Sequence, residues 1–365
     1  MSGRRFIGPA RNYSSGMAAF SAAELKKLKK AAALLLEAED RLPVLRTLTW
    51  DRSIGDAFLR SGGEAPPAPV YPSIDPQPSR ERIAAARALI AGSSPVHHWL
   101  TRFADTAETT AALLSTVGTK DFHRHSVALY GAPGSAIADG RRSALDLAQR
   151  LDSLLADLEG GMRLEPPEVL DAAEIKRRLD AALPQHFGAE PPRVEVTRNV
   201  SGKAAAGRDY IKLREDAMFS DLDVAQLLQH EALVHIATAK NGLAQAHFPL
   251  LAESHPGNAK TQEGLAVFAE FISGALDPRR FRRLADRVIA IDMAERGADF
   301  VETYRFFRER GAGDPPFEAF ENARRVFRGG VIGGGAPFTK DSIYLGGLLE
   351  VHNFLRAAVK TGDAA

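Results

Sequence analysis

Cysteine is absent from the 365 residues of this chain. Disulfide bonds, thiol nucleophiles and thiolate metal sites are therefore all excluded. A zinc ion in this protein would have to be bound by histidine and carboxylate side chains alone. The search for a metal site is thus confined to the 10 histidines and the 46 aspartates and glutamates.

A large net charge of one sign is also missing, because 47 Lys and Arg residues stand against 46 Asp and Glu residues. This balance argues against nucleic acid or a membrane surface as the main partner. The apolar run at 31–36 is too short to cross a bilayer. Arg4 and Arg5 are not followed by the apolar segment that a signal peptide needs. We therefore expect a soluble cytoplasmic protein.

Prolines, by contrast, are concentrated between residues 62 and 79, which predicts an extended connector. We predict that residues 1–79 hold an N-terminal helix at 22–40 and this connector, and that residues 80–365 form the main domain. The connector either separates the N-terminal piece from the main domain or lies across its surface. Residues 1–20 are expected to be disordered or loosely docked.

Helical periodicity dominates the main domain. Alternating apolar and polar residues predict only two short strands, at 193–197 and 210–213, joined by a Gly-rich turn. His123 and His125 lie between predicted helices and are expected at the surface. Amphipathic patterns predict helices at 80–91, 96–117, 141–158, 168–183, 220–242, 261–273, 278–310, 317–328 and 339–358.

The helix at 220–242 carries the strongest candidate for chemistry, the run His230-Glu231-Ala232-Leu233-Val234-His235. This run is close to the His-Glu-x-x-His pattern of zinc hydrolases, with one more residue between the histidines. A helix turns about 100° per residue, so histidines four apart lie about 40° apart, whereas histidines five apart lie about 140° apart. Sharing a metal therefore requires a π-type widening, which is frequent at functional sites. The alternative is two unrelated helix histidines beside an exposed Glu231.

A catalytic zinc site usually has three protein ligands, and the third ligand has two candidates. Thr261 is predicted to cap the next helix, which puts Glu263 in its first turn. Glu270, seven residues on, falls on nearly the same helix face. Spacing does not choose between the two acids, since Glu270 is either a rival ligand or a partner that orients a histidine.

Glu231 follows the first histidine directly, on the side of the helix where a metal-bound water would lie. Zinc lowers the pKa of such a water to about 7. Glu231 is therefore the candidate general base, which accepts the proton of the water as it attacks a peptide carbonyl and passes it to the leaving amine. The pattern thus predicts a zinc peptidase.

Several short runs, taken together over residues 90–358, resemble a known family. It is the family of QEGLA-motif proteins, whose bacterial members are called flavohaemoglobin expression-modulating QEGLA-motif proteins. Its eukaryotic relative is the microtubule-associated tyrosine carboxypeptidase, which removes the terminal tyrosine of α-tubulin. Besides the histidine run, the matching segments are Leu129-Tyr130-Gly131, Asn241-Gly242, Thr261-Gln262-Glu263-Gly264-Leu265-Ala266, Arg325-Val326-Phe327-Arg328-Gly329, Phe338-Thr339-Lys340-Asp341 and Tyr344-Leu345.

The resemblance implies a zinc metallopeptidase in which His230, His235 and Glu263 bind Zn²⁺ and Glu231 is catalytic. It favours Glu263 over Glu270 as the third ligand. Residues 80–365 are then the QEGLA-type metallopeptidase domain. Tubulin as the substrate is not carried over to this chain.

We expect an α+β, predominantly helical fold, with a zincin-like metallopeptidase core and a small sheet beside the metal-binding helix. The chain departs from the family at Leu233-Val234, where members often have Gly-Thr before the second histidine. Bulkier side chains at these positions are expected to narrow the site or to alter substrate choice, without removing a metal ligand.

A carboxypeptidase must also bind the free carboxylate of its substrate, and the planar fork of arginine suits that task. Arg325, Arg328 and Lys340 are the candidates, in a Gly-rich region that can fold over the site. Tyr344 is a candidate donor to the developing oxyanion. The alternative is that these residues are ordinary helix-end cations and a packed tyrosine.

The predicted function is a zinc-dependent metallo-carboxypeptidase that hydrolyses C-terminal residues, aromatic ones among them, from peptides or proteins. In this prediction Glu231 activates a zinc-bound water. Two alternatives stay open, a non-enzymatic metal-binding regulatory protein and a zinc endopeptidase. The expected partner is a peptide or protein C-terminus, with neither nucleic acid nor membrane involved, and no oligomeric state is predicted.

Overall fold

The structure is a computed structural model that describes residues 20–137, 142–161, 169–198, 200, 202–311 and 314–362. Helices make up most of the described chain, together with one three-stranded sheet. The predicted α+β, predominantly helical class is confirmed. Residues 1–19, for which disorder or loose docking was expected, lie outside the described residues. Within the described ranges, no helix has both the length and the apolar character that crossing a bilayer requires.

The helices are numbered in chain order on either side of the sheet. Before the sheet lie α1 (Ala22–Glu39), α2 (Val44–Thr47), α3 (Arg52–Arg60), α4 (Gln77–Arg87), α5 (Pro95–Ser115), α6 (Lys120–Tyr130), α7 (Ala144–Gly161) and α8 (Ala172–Phe187). After the sheet lie α9 (Asp221–Leu227), a π-helix (Leu228–Ile236), α10 (Ala237–Leu243), a 3₁₀ turn (Pro249–Ala252), α11 (Pro256–Ile272), α12 (Pro278–Glu295), α13 (Phe300–Arg310), α14 (Pro316–Phe327), a second 3₁₀ turn (Lys340–Ser342) and α15 (Ile343–Thr361).

The sheet contains both predicted strands and one that was not predicted. β1 (Arg193–Thr197) pairs in parallel with β3 (Tyr210–Arg214). β2 (Ala204–Ala206) pairs with the other side of β3 in the antiparallel direction. Alanine is poor in strands, so a run of three alanines gave no strand signal. The order β1-β3-β2 makes β2 an edge strand.

One long predicted helix is wrong, because residues 278–310 form two helices, α12 and α13. The chain turns at Gly297, whose φ of 109° is a conformation that suits glycine rather than other residues. Asp299 then starts α13 with a capping bond, in which its carboxylate accepts the N–H of Glu302 at 2.8 Å. The amphipathic stripe continues across the break, which is why periodicity did not reveal it.

The predicted cap of the QEGLA helix at Thr261 is also wrong. α11 already begins at Pro256, where proline suits the first turn because its nitrogen carries no hydrogen to satisfy. The ring of His255 accepts the N–H of Gly257 at 3.2 Å and takes the capping role. Glu263 therefore lies in the helix interior and not in the first turn.

His123 and His125 do not lie between helices, as predicted, but on α6. The side chain of Thr119 accepts the N–H of Phe122 at 3.4 Å and starts this helix. His123 is partly buried, and its Nδ1 lies 2.8 Å from the carbonyl oxygen of Pro337. It thus joins α6 to the segment that leads into the second 3₁₀ turn.

Residues from the N-terminal piece share an apolar cluster with the C-terminal half of the chain. The ring of Trp50 lies 5.7 Å from that of Phe300, and the ring of Phe58 lies 5.5 Å from that of Phe320. All four side chains are buried. The division of the chain between residues 79 and 80 stays a prediction.

The position of α11 brings the site together. This helix packs against the π-helix on one side and against α15 on another. Glu263 on α11 therefore faces the histidines of the π-helix, while the start of α15 and the 3₁₀ turn before it lie close by.

Candidate active site

Both histidines lie on a helix that continues from α9 through the π-helix into α10. It begins at Ser220, whose backbone N–H donates to the carboxylate of Asp223 at 2.7 Å. The π-helix Leu228–Ile236 contains His230 and His235, so the predicted widening is confirmed. The two ring centroids lie 4.8 Å apart, which places both imidazoles on the same side of the helix.

Three side-chain atoms converge next to this helix. Nε2 of His230 lies 3.3 Å from Oε2 of Glu263, and Nε2 of His235 lies 3.5 Å from the same oxygen. Ligands bound tetrahedrally to zinc at about 2.0–2.1 Å are separated from one another by about 3.4 Å. The separations therefore suit a single ion of this size, and the three residues form a group able to hold a metal.

Both the types of ligand atom and the lack of a hydrogen-bond partner for Oε2 of Glu263 among the described residues fit such an ion. Two imidazole nitrogens and one carboxylate oxygen are common zinc ligands, with a fourth position left open for water. Oε2 of Glu263 is buried, and no hydrogen-bond partner for it is found among the described residues. A buried carboxylate oxygen without a partner is costly, and a cation between the two rings would satisfy it.

The electrostatics of the cluster also favour a positive charge. Burial lowers the pKa of His230, but its contacts with the carboxylates of Glu263 and Glu270 outweigh this and raise the pKa to about 10. Burial raises the pKa of Glu263, yet the ammonium of Lys340 and the two histidines hold that pKa well below its ordinary value. The carboxylates thus stabilise a cation at the ring nitrogens.

Glu270, the other acid on the same helix face, contacts the opposite nitrogen of the ring. Its Oε1 lies 2.6 Å from Nδ1 of His230, and its side chain is 0% exposed. Nδ1 therefore carries the hydrogen that is donated to Glu270, and Nε2 is the nitrogen that faces Glu263 and would be free to bind an ion. This is the arrangement of a ligand histidine held by a supporting carboxylate.

The cluster opens onto a cleft of about 1160 Å³. Glu231 lies next to His230 in the chain and lines this cleft. The same cleft extends from His230, His235 and Glu263 past the edge strand β2 to the start of α3. Its wall includes the predicted site residues His230, Glu231, His235, Glu263, Lys340 and Tyr344, together with Arg325 and Arg328.

A family model described as microtubule-associated tyrosine carboxypeptidase matches residues 56–365. The chain belongs to this family. Membership implies a carboxypeptidase-like activity, and the matched range includes His230, Glu231, His235 and Glu263. A comparison of the chain with curated proteins gives no match.

The three positively charged side chains predicted to bind substrate contact different groups in this chain. Arg325 makes two hydrogen bonds to Asp341, at 2.5 and 3.0 Å. Lys340 donates to Oε1 of Glu263 at 3.3 Å. Arg328 is 4% exposed, and its Nε has no hydrogen-bond partner in the part of the chain that is described. Burial and the charge of Arg325 lower the pKa of Arg328 to about 10.

Sequence reasoning missed two parts of the cleft wall. The first is the edge strand β2. The second is the stretch from Leu45 to Arg52, which contributes Trp50 to the wall and precedes the part of the chain that matches the carboxypeptidase family. No local signal marks either part, because both reach the cleft only through packing against distant elements.

The family departure at Leu233-Val234 lies on the π-helix, directly before His235. Leu233 packs against the apolar cluster between α8 and the sheet, and Val234 is 5% exposed. Within the described residues, neither side chain lines the cleft. The expectation that these residues narrow the site or alter substrate choice stays a prediction.

Proposed function

We propose that this protein is a zinc-dependent metallo-carboxypeptidase that removes C-terminal residues from peptides or proteins. In this proposal His230, His235 and Glu263 bind Zn²⁺ within a zincin-like core, and Glu231 is the catalytic base. The observation that carries it is the convergence of three ligand atoms beside a large cleft. Membership of a carboxypeptidase family supports it.

The position of Glu231 supports its proposed role as the base. It follows His230 directly and lines the same cleft. Zinc held by the three ligands would lower the pKa of a water molecule to about 7 and polarise the scissile carbonyl. Glu231 accepts the proton of the attacking water and passes it to the leaving amine, a contribution of typically about 10²- to 10⁴-fold in rate.

Arg328 is the proposed anchor for the substrate carboxylate. Its guanidinium is buried in the cleft wall, lies 5.5 Å from the ring centroid of Phe338, and has an Nε without a partner among the described residues. A substrate carboxylate would satisfy this group with charge-assisted hydrogen bonds. Arg325 and Lys340 already contact the carboxylates of Asp341 and Glu263, so they contribute mainly positive charge at the same end of the cleft.

Two further features suit the end of a peptide. Tyr344 lines the cleft, with its ring 6.5 Å from that of His230, and is the proposed donor to the oxyanion. Trp50, Phe317 and Phe320 also line the cleft, which favours an aromatic C-terminal residue. The family description names a tyrosine carboxypeptidase, in agreement with that preference.

The edge of the sheet offers a place for the peptide backbone. β2 lines the cleft and, among the described strands, pairs only with β3. An extended peptide can hydrogen-bond to such a free edge. We also propose that residues 80–365 are the catalytic unit and that the N-terminal helix and the connector pack against it.

The first test compares two peptides of the same sequence, one with a free C-terminal carboxylate and one with a C-terminal amide. We expect zinc-loaded protein to release the last residue from the free acid only, because the amide lacks the charge that Arg328 binds. Mass spectrometry of the products measures this. Internal cleavage of both peptides would contradict a carboxypeptidase and support the endopeptidase alternative.

The second part of the test addresses the mechanism. Glu231→Gln is expected to lower kcat by about 10²- to 10⁴-fold while zinc stays bound, because only the proton acceptor is lost. The control is Glu309→Gln, which changes an exposed carboxyl group on α13 and should keep the wild-type rate. Undiminished hydrolysis by Glu231→Gln would refute the mechanism. A wild-type protein inactive on a library of C-terminal residues would favour the non-enzymatic alternative.

A further inference from the structure

The support behind His230 extends one layer further than the carboxylate that touches it. Arg280, from the start of α12, donates from Nε to Oε2 of Glu270 and from Nη2 to Oε1, both at 3.1 Å. Gln226 on α9 donates to Oε1 as well, at 3.2 Å. Together these hydrogen bonds fix the plane of the buried Glu270 carboxylate. Its Oε1 is then directed at Nδ1 of His230.

The two-bond contact with Arg280 gives this support its rigidity. A single hydrogen bond lets a carboxylate rotate, whereas the planar fork of arginine holds both oxygens at once. Glu270 is 0% exposed, so no bulk water replaces the guanidinium if it is removed. A buried carboxylate that loses its cation is strongly destabilised and is expected to turn away from its present position.

His235, the other histidine of the cluster, lacks an equivalent support. Among the residues that the structure describes, no hydrogen bond to Nδ1 of His235 is found, and its side chain is 21% exposed, against 6% for His230. Of the two rings, only that of His230 is held by the hydrogen bonds that run from Arg280 through Glu270.

We infer that Arg280 is a positioning residue for the metal centre, which fixes His230 through Glu270 so that Nε2 is directed at the metal position. The inference rests on the proposed metal site, but it does not depend on which substrate is cleaved. Supporting partners of ligand histidines typically change metal affinity by about 10- to 100-fold when they are removed. Arg280 thus ties the start of α12 to a site whose three candidate ligands lie on the π-helix and α11.

The test measures the zinc Kd of the full chain by competition with a chelator. Arg280→Met is expected to raise the Kd by about 10- to 100-fold. Arg280→Lys, which keeps the charge but not the fork, should fall between that variant and the wild type. The matched control is Arg279→Met, because Arg279 is the preceding residue, is exposed, and lines a separate cavity. It should bind zinc as the wild type does.

A second readout separates positioning from general damage to the fold. The visible spectrum of the Co²⁺-loaded protein reports the geometry of the ligand nitrogens, and it should change in Arg280→Met and stay unchanged in Arg279→Met. If Arg280 acts through Glu270, removing Arg280 should matter little once Glu270 is changed. The zinc Kd of the double variant Arg280→Met, Glu270→Gln should then lie within about twofold of that of Glu270→Gln alone. Additive losses would overturn the inference.

The possible failures are distinguishable. If the wild type binds no zinc, the proposed function fails first. If the wild type binds zinc and Arg280→Met binds it with the same Kd and the same Co²⁺ spectrum, the positioning role is refuted while the metal site stands. Thermal unfolding identifies a variant that does not fold, and Arg280→Lys then supplies the deciding Kd and spectrum.

Discussion

At the scale of single residues, the two carboxylate oxygens of Glu263 contact different side chains. Oε1 accepts a hydrogen bond from Lys340 at 3.3 Å, and Oε2 faces the two histidines. Lys340 is itself buried at 8% exposure. Since one oxygen is already engaged, Glu263 presents a single oxygen to the metal position. Lys340 thereby limits how Glu263 could bind a metal, and it adds a positive charge to the wall of the cleft.

Glu39, a partly buried acid outside the candidate metal site, leads to a pH prediction. Burial, together with the charges of Glu253 and Asp40, raises the pKa of Glu39 from an ordinary 4.5 to about 7. Its Oε2 is buried, with no hydrogen-bond partner found among the described residues. The folded state therefore binds this proton more tightly than the unfolded state does.

The sign of the effect on stability follows from that difference. Stability from the proton on Glu39 is fully present below about pH 4.5 and is lost as pH rises through about 7. Glu39→Gln should therefore match the wild type near pH 4 and exceed it at pH 8, by about 1–3 kcal/mol in the free energy of unfolding. Urea denaturation at the two pH values measures this.

The control for that measurement is Glu64→Gln, which changes an exposed carboxyl group in the connector. It should leave the pH dependence as it is in the wild type. Equal stability of Glu39→Gln and wild type at pH 8 would show that the carboxylate of Glu39 is solvated in the folded protein.

At the scale of elements, the site depends on how closely α11 and α15 approach each other. A Cβ atom at Gly264 would lie 2.2 Å from the carbonyl carbon of Gly347, and a Cβ at Gly347 would lie 2.2 Å from the carbonyl oxygen of Lys260. The two glycines let the backbones touch. Since Gly264 follows Glu263, this contact brings the residues at the start of α15 next to the metal cluster.

The contact predicts a difference between two neighbouring glycines of α15. Gly347→Ala should lower the free energy of unfolding by about 1–3 kcal/mol, because backbone blocks the added methyl group. Gly346→Ala should be neutral or gain about 0.5–1 kcal/mol from helix propensity. Its added methyl would meet the flexible end of Lys260 at 3.3 Å.

Thermal unfolding of the two variants measures that difference directly. Equal melting temperatures for Gly347→Ala and Gly346→Ala would contradict a close helix crossing. Zinc binding should follow the same order as stability, because the crossing also places Lys340 beside Glu263.

The π-helix is the other element on which the site depends. An ordinary helix would put histidines five apart on different faces, whereas the observed rings lie with centroids 4.8 Å apart. The widened turn loses the regular hydrogen-bond pattern of an α-helix. It continues into an α-helix at each end, α9 before it and α10 after it.

At the scale of the whole molecule, the N-terminal piece is part of the packed core. Phe58 is 2% exposed, and its ring lies 4.8 Å from that of Tyr304 and 5.2 Å from that of Phe300. Trp50 donates from Nε1 to the hydroxyl of Tyr71 at 2.7 Å, and this hydroxyl also accepts the N–H of Gly329 at 2.7 Å. Tyr71 of the connector thus links Trp50 to the segment that carries Arg328.

These contacts predict that the N-terminal piece does not unfold separately. Phe58→Ala should cost about 3–5 kcal/mol, the range for emptying a buried aromatic site, and should shift one cooperative transition. Phe354→Ala is the matched control, since this ring is 71% exposed, and it should change stability by less than about 0.5 kcal/mol. Two separate calorimetric transitions would instead support an independent N-terminal piece.

The sequence by itself determined what depends on neighbours along the chain. Apolar periodicity located most helices and the strands β1 and β3, because a helix or strand face repeats at a fixed spacing. The five-residue step from His230 to His235 predicted the π-type widening, because in a regular helix the two rings would lie on different faces. The break at Gly297 and the alanine strand β2 gave no such local signal.

Only the tertiary structure decided which groups from distant segments meet. Packing of α11 against the π-helix directs Glu263 to the Nε2 atoms and Glu270 to Nδ1, although both acids lie on one helix face. Packing of α12 brings Arg280 behind Glu270, and the N-terminal piece brings Trp50 to the cleft. Such contacts depend on how many side chains pack together across the core. The spacing of residues within a single segment therefore does not predict them.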